Sequence, residues 1–301
     1  SLGSRMMEKL VSFCMITYNQ ENFIADAING AFSQTYGNLE IIISDDCSTD
    51  RTFDIAKKMV AEYKGPHKVI LNQNKPNLGI REHVNKLIYE LSTGDYILLA
   101  AGDDVSVPER SSMYVDYFEK FPQVMSISCK SIEVDENLKP LDLDNEVWDN
   151  TYSIYNLNDY FSYKDFFLYS GDSRGLRRDV INSFPPLRFP KAEDIYLFIR
   201  SILIGSGCII RTPLVKRRHH ASNVSSKYST NEMIALAEKQ FYTDLEHALR
   251  NRYINEIQYK LMKRKLTYLI DYERLYWRNP FKNFKSLFYR ALRKLFKVSL
   301  L

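Results

Sequence analysis

The stretch "LEIIISDDCSTDRTF" (39–53) decides how the chain folds. Its first six residues form a short, mostly apolar run rich in isoleucine, the signature of a strand covered on both faces. Ser48, Thr49 and Asp50 then supply helix-capping side chains for a helix over 51–63, with Thr49 or Asp50 as the cap. Capping needs one such residue and leaves the earlier pair, Asp45 and Asp46, unexplained. Adjacent carboxylates repel, and a fold tolerates them best where solvent, a metal or a cationic ligand takes up the charge.

Working outward, the same β/α unit recurs. "KLVSFCMIT" (9–17), "KVILN" (68–72), "DYILLAA" (95–101) and "VMSISC" (124–129) read as further buried strands, and residues 22–33, 80–91 and 109–120 carry helical spacing. Such alternation predicts an α/β fold, a mostly parallel sheet flanked by helices. Ligands of these sheets sit at the carboxyl ends of the strands. Here those ends run into "TYNQEN" (17–22), "DDCSTDRT" (45–52), "NQNKPNLG" (72–79) and "GDDVSVP" (102–108). Two acidic pairs on one edge, Asp45–Asp46 and Asp103–Asp104, suggest a site rather than caps alone.

With 301 residues, 45% hydrophobic and 26% charged, the chain can bury a sizeable core. "SLGSR" resembles a tag remnant, so residues 1–8 are set aside as tag remnant and leader. No stretch has the form of a signal peptide or of an apolar span of about 18 residues, so the expectation is that nothing spans a bilayer, and the expected place is the cytoplasm or the inner face of the membrane. Cys14, Cys47, Cys129 and Cys208 lack CxxC spacing, arguing for reduced thiols and against a zinc site. Charge is unevenly placed: residues 248–301 carry 14 Lys+Arg against 3 Asp+Glu, and residues 1–247 carry 27 against 34.

Residues 134–190 read as irregular around a helix over 157–169. A helix follows over 192–203, then a hairpin through 207–220 turned at Thr212–Pro213. Beyond residue 230 the pattern is helical, with a break at Pro280. These elements divide the chain into a catalytic domain over 9–225, with a nucleotide-binding half (9–130) and an acceptor-binding half (131–225), and a basic helical region over 226–301.

Several groups could do chemistry. A carboxylate at the end of the second strand is an acceptor for a uracil imide N–H or ribose hydroxyls. Asp103 and Asp104 suit a hard divalent cation, Mg2+ or Mn2+, that also binds diphosphate oxygens. Glu193 and Asp194 open a helix, where the dipole keeps a carboxylate ionised and able to take a proton from a hydroxyl. Arg217, Arg218, His219 and His220 can meet phosphate charge or complete a metal shell. Each cluster alone has a plainer explanation as a cap or a solvated strand end. Together they describe a site for a nucleotide diphosphate with its metal.

Over about residues 9–225 the sequence resembles the family-2 glycosyltransferases, inverting enzymes of the GT-A fold with a nucleotide-sugar donor. "ITYN" matches the family's opening loop, with Ile16 in place of its proline, and the resemblance assigns Thr17, Tyr18 and Asn19 to the nucleotide pocket. "DDCSTD" matches "DDxSxD", which makes Asp46 the uracil contact with Asp45 beside it. "NLGIREHVN" brings Asn77, Gly79 and Asn85 to the nucleotide edge, with Arg81 as a base or phosphate contact. "AAGDD" aligns with the metal-binding DxD; its first aspartate falls on Ala101, so the metal role rests on Asp103 with Asp104 adjacent, and Gly102 joins the nucleotide side. "AED" assigns the general base to Asp194 with Glu193 as neighbour. "RHHASNVS" places His220 by the metal or diphosphate and Arg218 near the phosphates.

The resemblance implies transfer of a hexosyl or N-acetylhexosaminyl group, by single displacement, from a UDP-sugar to a saccharide or lipid-linked hydroxyl in surface polysaccharide or glycolipid synthesis. A nucleotidyltransferase on a similar sheet is an alternative, against which "TYNQENF" lacks a Gly-rich basic loop. A non-catalytic nucleotide-sugar-binding relative is another. Phe281, Phe284, Phe288, Ala291, Leu292 and Leu295 share one helical face amid lysines and arginines. Residues 281–297 therefore pack on protein or lie on an anionic membrane surface; nothing suggests nucleic-acid readout.

Overall fold

The computed structural model describes residues 8–141, 151–162, 173–189, 193–220 and 231–277. Strands β1 (Val11–Thr17), β2 (Leu39–Asp45), β3 (Lys68–Gln73) and β4 (Tyr96–Ala101) are parallel neighbours in the order β3-β2-β1-β4. Every residue of β2 is buried, as a strand covered on both faces requires. Between these strands lie α1 (Ile24–Phe32), α2 (Thr52–Glu62) and α3 (Ile80–Asn85), which continues as a π-helical turn over Lys86–Leu91.

The sheet then becomes mixed. β8 (Gly175–Arg177) runs antiparallel to β4 and links it to β6 (Val124–Val134), which pairs in parallel with β9 (Ser206–Arg218). The short β5 (Val105–Ser106) and β7 (Tyr152–Tyr155) both add antiparallel to β9. Two strands thus lie in the region read as irregular, where β7 and β8 are too short to show a period. Of the helix expected over 157–169, the described part is α5 (Leu157–Ser162).

The hairpin expected over 207–220 is also overturned. Residues 206–218 form a single 13-residue strand, not a hairpin. The β6–β9 register passes from Cys129↔Ile210 to Lys130↔Pro213, so Arg211 and Thr212 form a bulge. Pro213 has no N–H to give a ladder, and a bulge accommodates it without reversing the chain.

α4 (Arg110–Lys120) and α6 (Arg178–Ser183) flank the sheet, and α7 (Glu193–Ile204) precedes β9. α8 (Asn231–Arg250) and α9 (Glu256–Trp277) pack on α7 through Tyr196, Ile199, Leu203, Phe241, Leu245, Met262 and Leu266. The C-terminal helices therefore share a core with the segment that carries Glu193. None of Cys14, Cys47, Cys129 and Cys208 is in a disulfide.

Candidate active site at the strand ends

Strand register brings the site together. Thr17 pairs with Asp45, Asp45 with Gln73, and Ile16 with Ala101, so β1 to β4 end level and release their polar loops at one edge. The loops then clasp one another. Asn19, at φ 51°, takes the left-handed conformation that asparagine tolerates. Its N–H donates to Ser48 Oγ at 2.9 Å, and its Oδ1 accepts from Thr49 N at 2.8 Å. Asp45 is wholly buried, its carboxylate accepting from Ser48 N at 2.9 Å, Ser48 Oγ and Gln73 Nε2. It shapes the loop from within.

Asp46 organises the next loop. Its Oδ1 accepts from Asn74 Nδ2 at 2.9 Å and Leu78 N at 2.8 Å, its Oδ2 from Gly79 N at 2.9 Å, and its carbonyl from Asn77 Nδ2 at 2.6 Å. Gly79 adopts φ 76°, ψ 162°, a region nearly closed to side-chain-bearing residues. Its glycine lets two consecutive N–H groups reach one carboxylate. Tyr18, Leu78 and Ile80 stand exposed around this acceptor cluster, apolar surface beside polar groups.

Asp103 and Asp104 follow β4, and the β5–β9 pairing (Val105↔Lys216) draws them against the end of β9. His220 Nε2 lies 3.0 Å from Asp103 Oδ2, with the two side chains 4% and 18% exposed. Asp104 Oδ1 accepts the Arg218 N–H at 2.9 Å. Of the Arg218 guanidinium, Nη2 meets Asp26 Oδ2 at 2.8 Å, Nε donates to the Asp103 carbonyl at 3.0 Å, and Nη1 donates to the Glu136 carbonyl. Phe23 lies between this guanidinium, 4.8 Å from its ring, and the His220 ring at 4.4 Å. In this arrangement Arg218 braces the Asp103–His220 pair.

The pair also has the chemistry of a divalent-cation site. One hard carboxylate oxygen and one imidazole nitrogen suit Mn2+, and to a lesser degree Mg2+. Their separation is that of neighbouring ligands on an octahedral ion with bonds of about 2.1 Å. Among the described residues no group of three or more His, Cys, Asp or Glu side chains is placed to hold a metal, so remaining positions would fall to substrate oxygens and water.

Gly102 permits a close approach at this turn. A Cβ there would lie 2.5 Å from Gln20 Oε1 and 2.6 Å from Thr17 Oγ1, two atoms themselves hydrogen-bonded at 2.7 Å. Arg81 faces elsewhere, donating from Nη1 to the Arg188 carbonyl at 2.7 Å and pairing with Glu82. Asn85 makes two bonds to the Leu187 backbone. Glu193 is half-buried in the first turn of α7; the Asp194 side chain lies outside the described residues.

Sequence reading missed Gln20, Asp26, Phe23 and His83. His83 is buried 2.7 Å from Ser44 Oγ, beneath the acidic pair. Burial pushes its imidazole down from 6.5 to about 4, against the pull of Asp46 and Asp45. The available signal was a histidine one helical turn before Leu87, on the face that turns inward.

A family model described as Glycosyl transferase family 2 matches residues 12–184, more than half of the chain. The chain belongs to glycosyl transferase family 2. Over 126 residues it is 38% identical to the putative glycosyltransferase EpsE of Bacillus subtilis, an overlap of 42% of this chain and 44% of EpsE. It thus spans less than half the length of the curated relatives it matches. The chain has the GT-A fold. Staphylococcus aureus TarS 1–349 in complex with UDP-GlcNAc superposes with a TM-score of 0.66 at 14% identity, covering 86% of this chain and 71% of that one. The mannosyltransferase PcManGT of Pyrobaculum calidifontis, in complex with GDP-Man and Mn2+, gives 0.53 at 15% identity over 81% and 65%.

Proposed function

We propose that this glycosyltransferase is an inverting enzyme that moves a hexosyl or N-acetylhexosaminyl group from a UDP-sugar to a hydroxyl of a saccharide or lipid-linked acceptor, in surface polysaccharide or glycolipid synthesis. The observation that carries the reading is the Asp103–His220 pair at 3.0 Å beside the level ends of β1, β2 and β4. The neighbouring structures with UDP-GlcNAc and with GDP-Man and Mn2+ support a nucleotide-sugar donor and a divalent cation.

In this reading the base lies against Tyr18, Leu78 and Ile80, with Asp46 and the loop it holds supplying polar contacts. Asp103 and His220 would hold Mn2+ or Mg2+. The cation, when bound, supplies positive charge to the leaving nucleotide diphosphate. Asp194, on the first turn of α7, takes the proton of the acceptor hydroxyl, with Glu193 beside it. Arg218 keeps Asp103 and Asp104 in register with His220 and acts on the phosphates through them.

The test is nucleotide release from a panel of nucleotide sugars with Mn2+, for the wild type and Asp194→Asn. Loss of the base should lower the rate by about 10²- to 10⁴-fold while the donor still shifts the melting temperature. Release of pyrophosphate from a nucleoside triphosphate and a sugar 1-phosphate, supplied in place of the nucleotide sugar, would mark a nucleotidyltransferase. Donor binding without release from any sugar would mark a binding protein.

A further inference from the structure

Among the described residues, six large hydrophobic side chains are exposed, and they form two groups. Tyr18, Leu78 and Ile80 belong to the strand-end site. Tyr253, Ile257 and Leu261, at 38%, 71% and 42% exposure, lie on the α8–α9 turn and α9, and the proposed chemistry does not use them.

α9 has two distinct faces. Met262 and Leu266 turn inward and, with Ile254, pack on Phe241, Leu245 and Ala248. Ile257, Lys260, Leu261 and Arg264 follow at spacings of three and four residues and are all exposed, a continuous outward stripe. Over residues 250–264 the cations Arg250, Arg252, Lys260, Lys263 and Arg264 are exposed against one acid, Glu256.

We infer that this outward face of α9 rests on an anionic lipid surface. Aliphatic side chains flanked by Lys and Arg are the makeup of a helix lying in a membrane interface, where apolar groups enter the acyl boundary and cations meet the headgroups. A nucleic acid offers the charge but no apolar phase for Ile257 and Leu261. A second copy docking the same face would set five cations against five. The sequence also continues the pattern: residues 278–301 hold seven Lys+Arg and no Asp or Glu. No helix of the described residues is long and apolar enough to cross a membrane, so α9 offers an in-plane contact. The inference is independent of donor, metal and base.

The test is co-sedimentation of the full chain with phosphatidylcholine vesicles, with and without phosphatidylglycerol, at low and high salt. The wild type should bind the anionic vesicles at low salt and be released by salt. Ile257→Asp/Leu261→Asp and, separately, Lys260→Glu/Arg264→Glu should each weaken that binding at least about tenfold. Both variants alter exposed side chains and should keep the wild-type melting temperature and nucleotide release. Undiminished binding by either variant would overturn the inference. So would a wild type that ignores anionic vesicles, or one whose self-association on a sizing column is what the variants abolish.

Discussion

At the strand ends Asp46 accepts four hydrogen bonds from a loop 28 to 33 residues away, and Asn19 and Ser48 tie the two neighbouring loops together. In the helical core a single buried pair does comparable work. Arg200 donates to Asp244 from Nε and Nη2, both at 2.8 Å, with the side chains 0% and 1% exposed. Its Nη1 reaches Tyr89 and the Pro185 carbonyl, while Gln240 bonds to Asp244 and accepts the N–H groups of Arg188 and Phe189. The strand-end edge is a mesh of many hydrogen bonds to two buried carboxylates, most of them from backbone and amide N–H donors on partly exposed loops. The helical side is a dry ionic joint, where no solvent replaces a lost partner. The first spreads its bonds over many partners, and the second fixes α7, and with it Glu193, against α8 through one ion pair.

Breaking the dry joint should have the largest effect. Arg200→Met leaves Asp244 buried and uncompensated and should cost about 3–5 kcal/mol in urea unfolding, whereas Arg200→Met with Asp244→Leu should recover most of that loss. A single variant that unfolds at the wild-type midpoint would show that the two regions do not differ in this way.

A pH titration probes the mesh from beneath. His83 binds its proton at about 4 when folded and at 6.5 when unfolded, so the unfolded chain holds more protons between those values. Its contribution is flat above 6.5, and stability falls as pH drops from 6.5 to about 4, by up to roughly 3 kcal/mol, then levels. His83→Asn should flatten that segment of the stability profile; an unchanged profile would remove His83 from the account.

The smallest effect is expected where the two kinds of contact meet. Asp26 is 46% exposed and pairs with the buried Arg218 guanidinium. Asp26→Asn should weaken Mn2+ binding, read by electron paramagnetic resonance, by about tenfold with little change in melting temperature, and Asp26→Glu should restore part of it. Equal Mn2+ affinity in wild type and Asp26→Asn would show that the brace does not position Asp103 and His220.

That Thr17, Asp45, Asp46, Asn77 and Asp103 gather at one strand-end edge is legible in the sequence, because each ends a strand or lies in the loop after it. Their roles were less legible. Asp46 was read as facing a base, and the structure spends most of its acceptor capacity on Asn74, Leu78 and Gly79. Arg218 was read as a phosphate ligand, and its guanidinium is held by Asp26 and two carbonyls. β9 was read as a hairpin because a Thr-Pro pair signals a turn, and a two-residue bulge satisfies the same local chemistry.

By itself the sequence determined the alternation of β1 to β4 with the helices between them, the burial of β1, β2 and β4, and the delivery of polar loops to one edge. Those follow from the period of apolar residues and from capping chemistry, which act over a few residues. Only the tertiary structure decided that Asp103 meets His220 across 117 residues, that Arg200 meets Asp244, and that α9 keeps a cationic, apolar stripe outward. Each depends on sheet register or helix packing, set by the whole core at once.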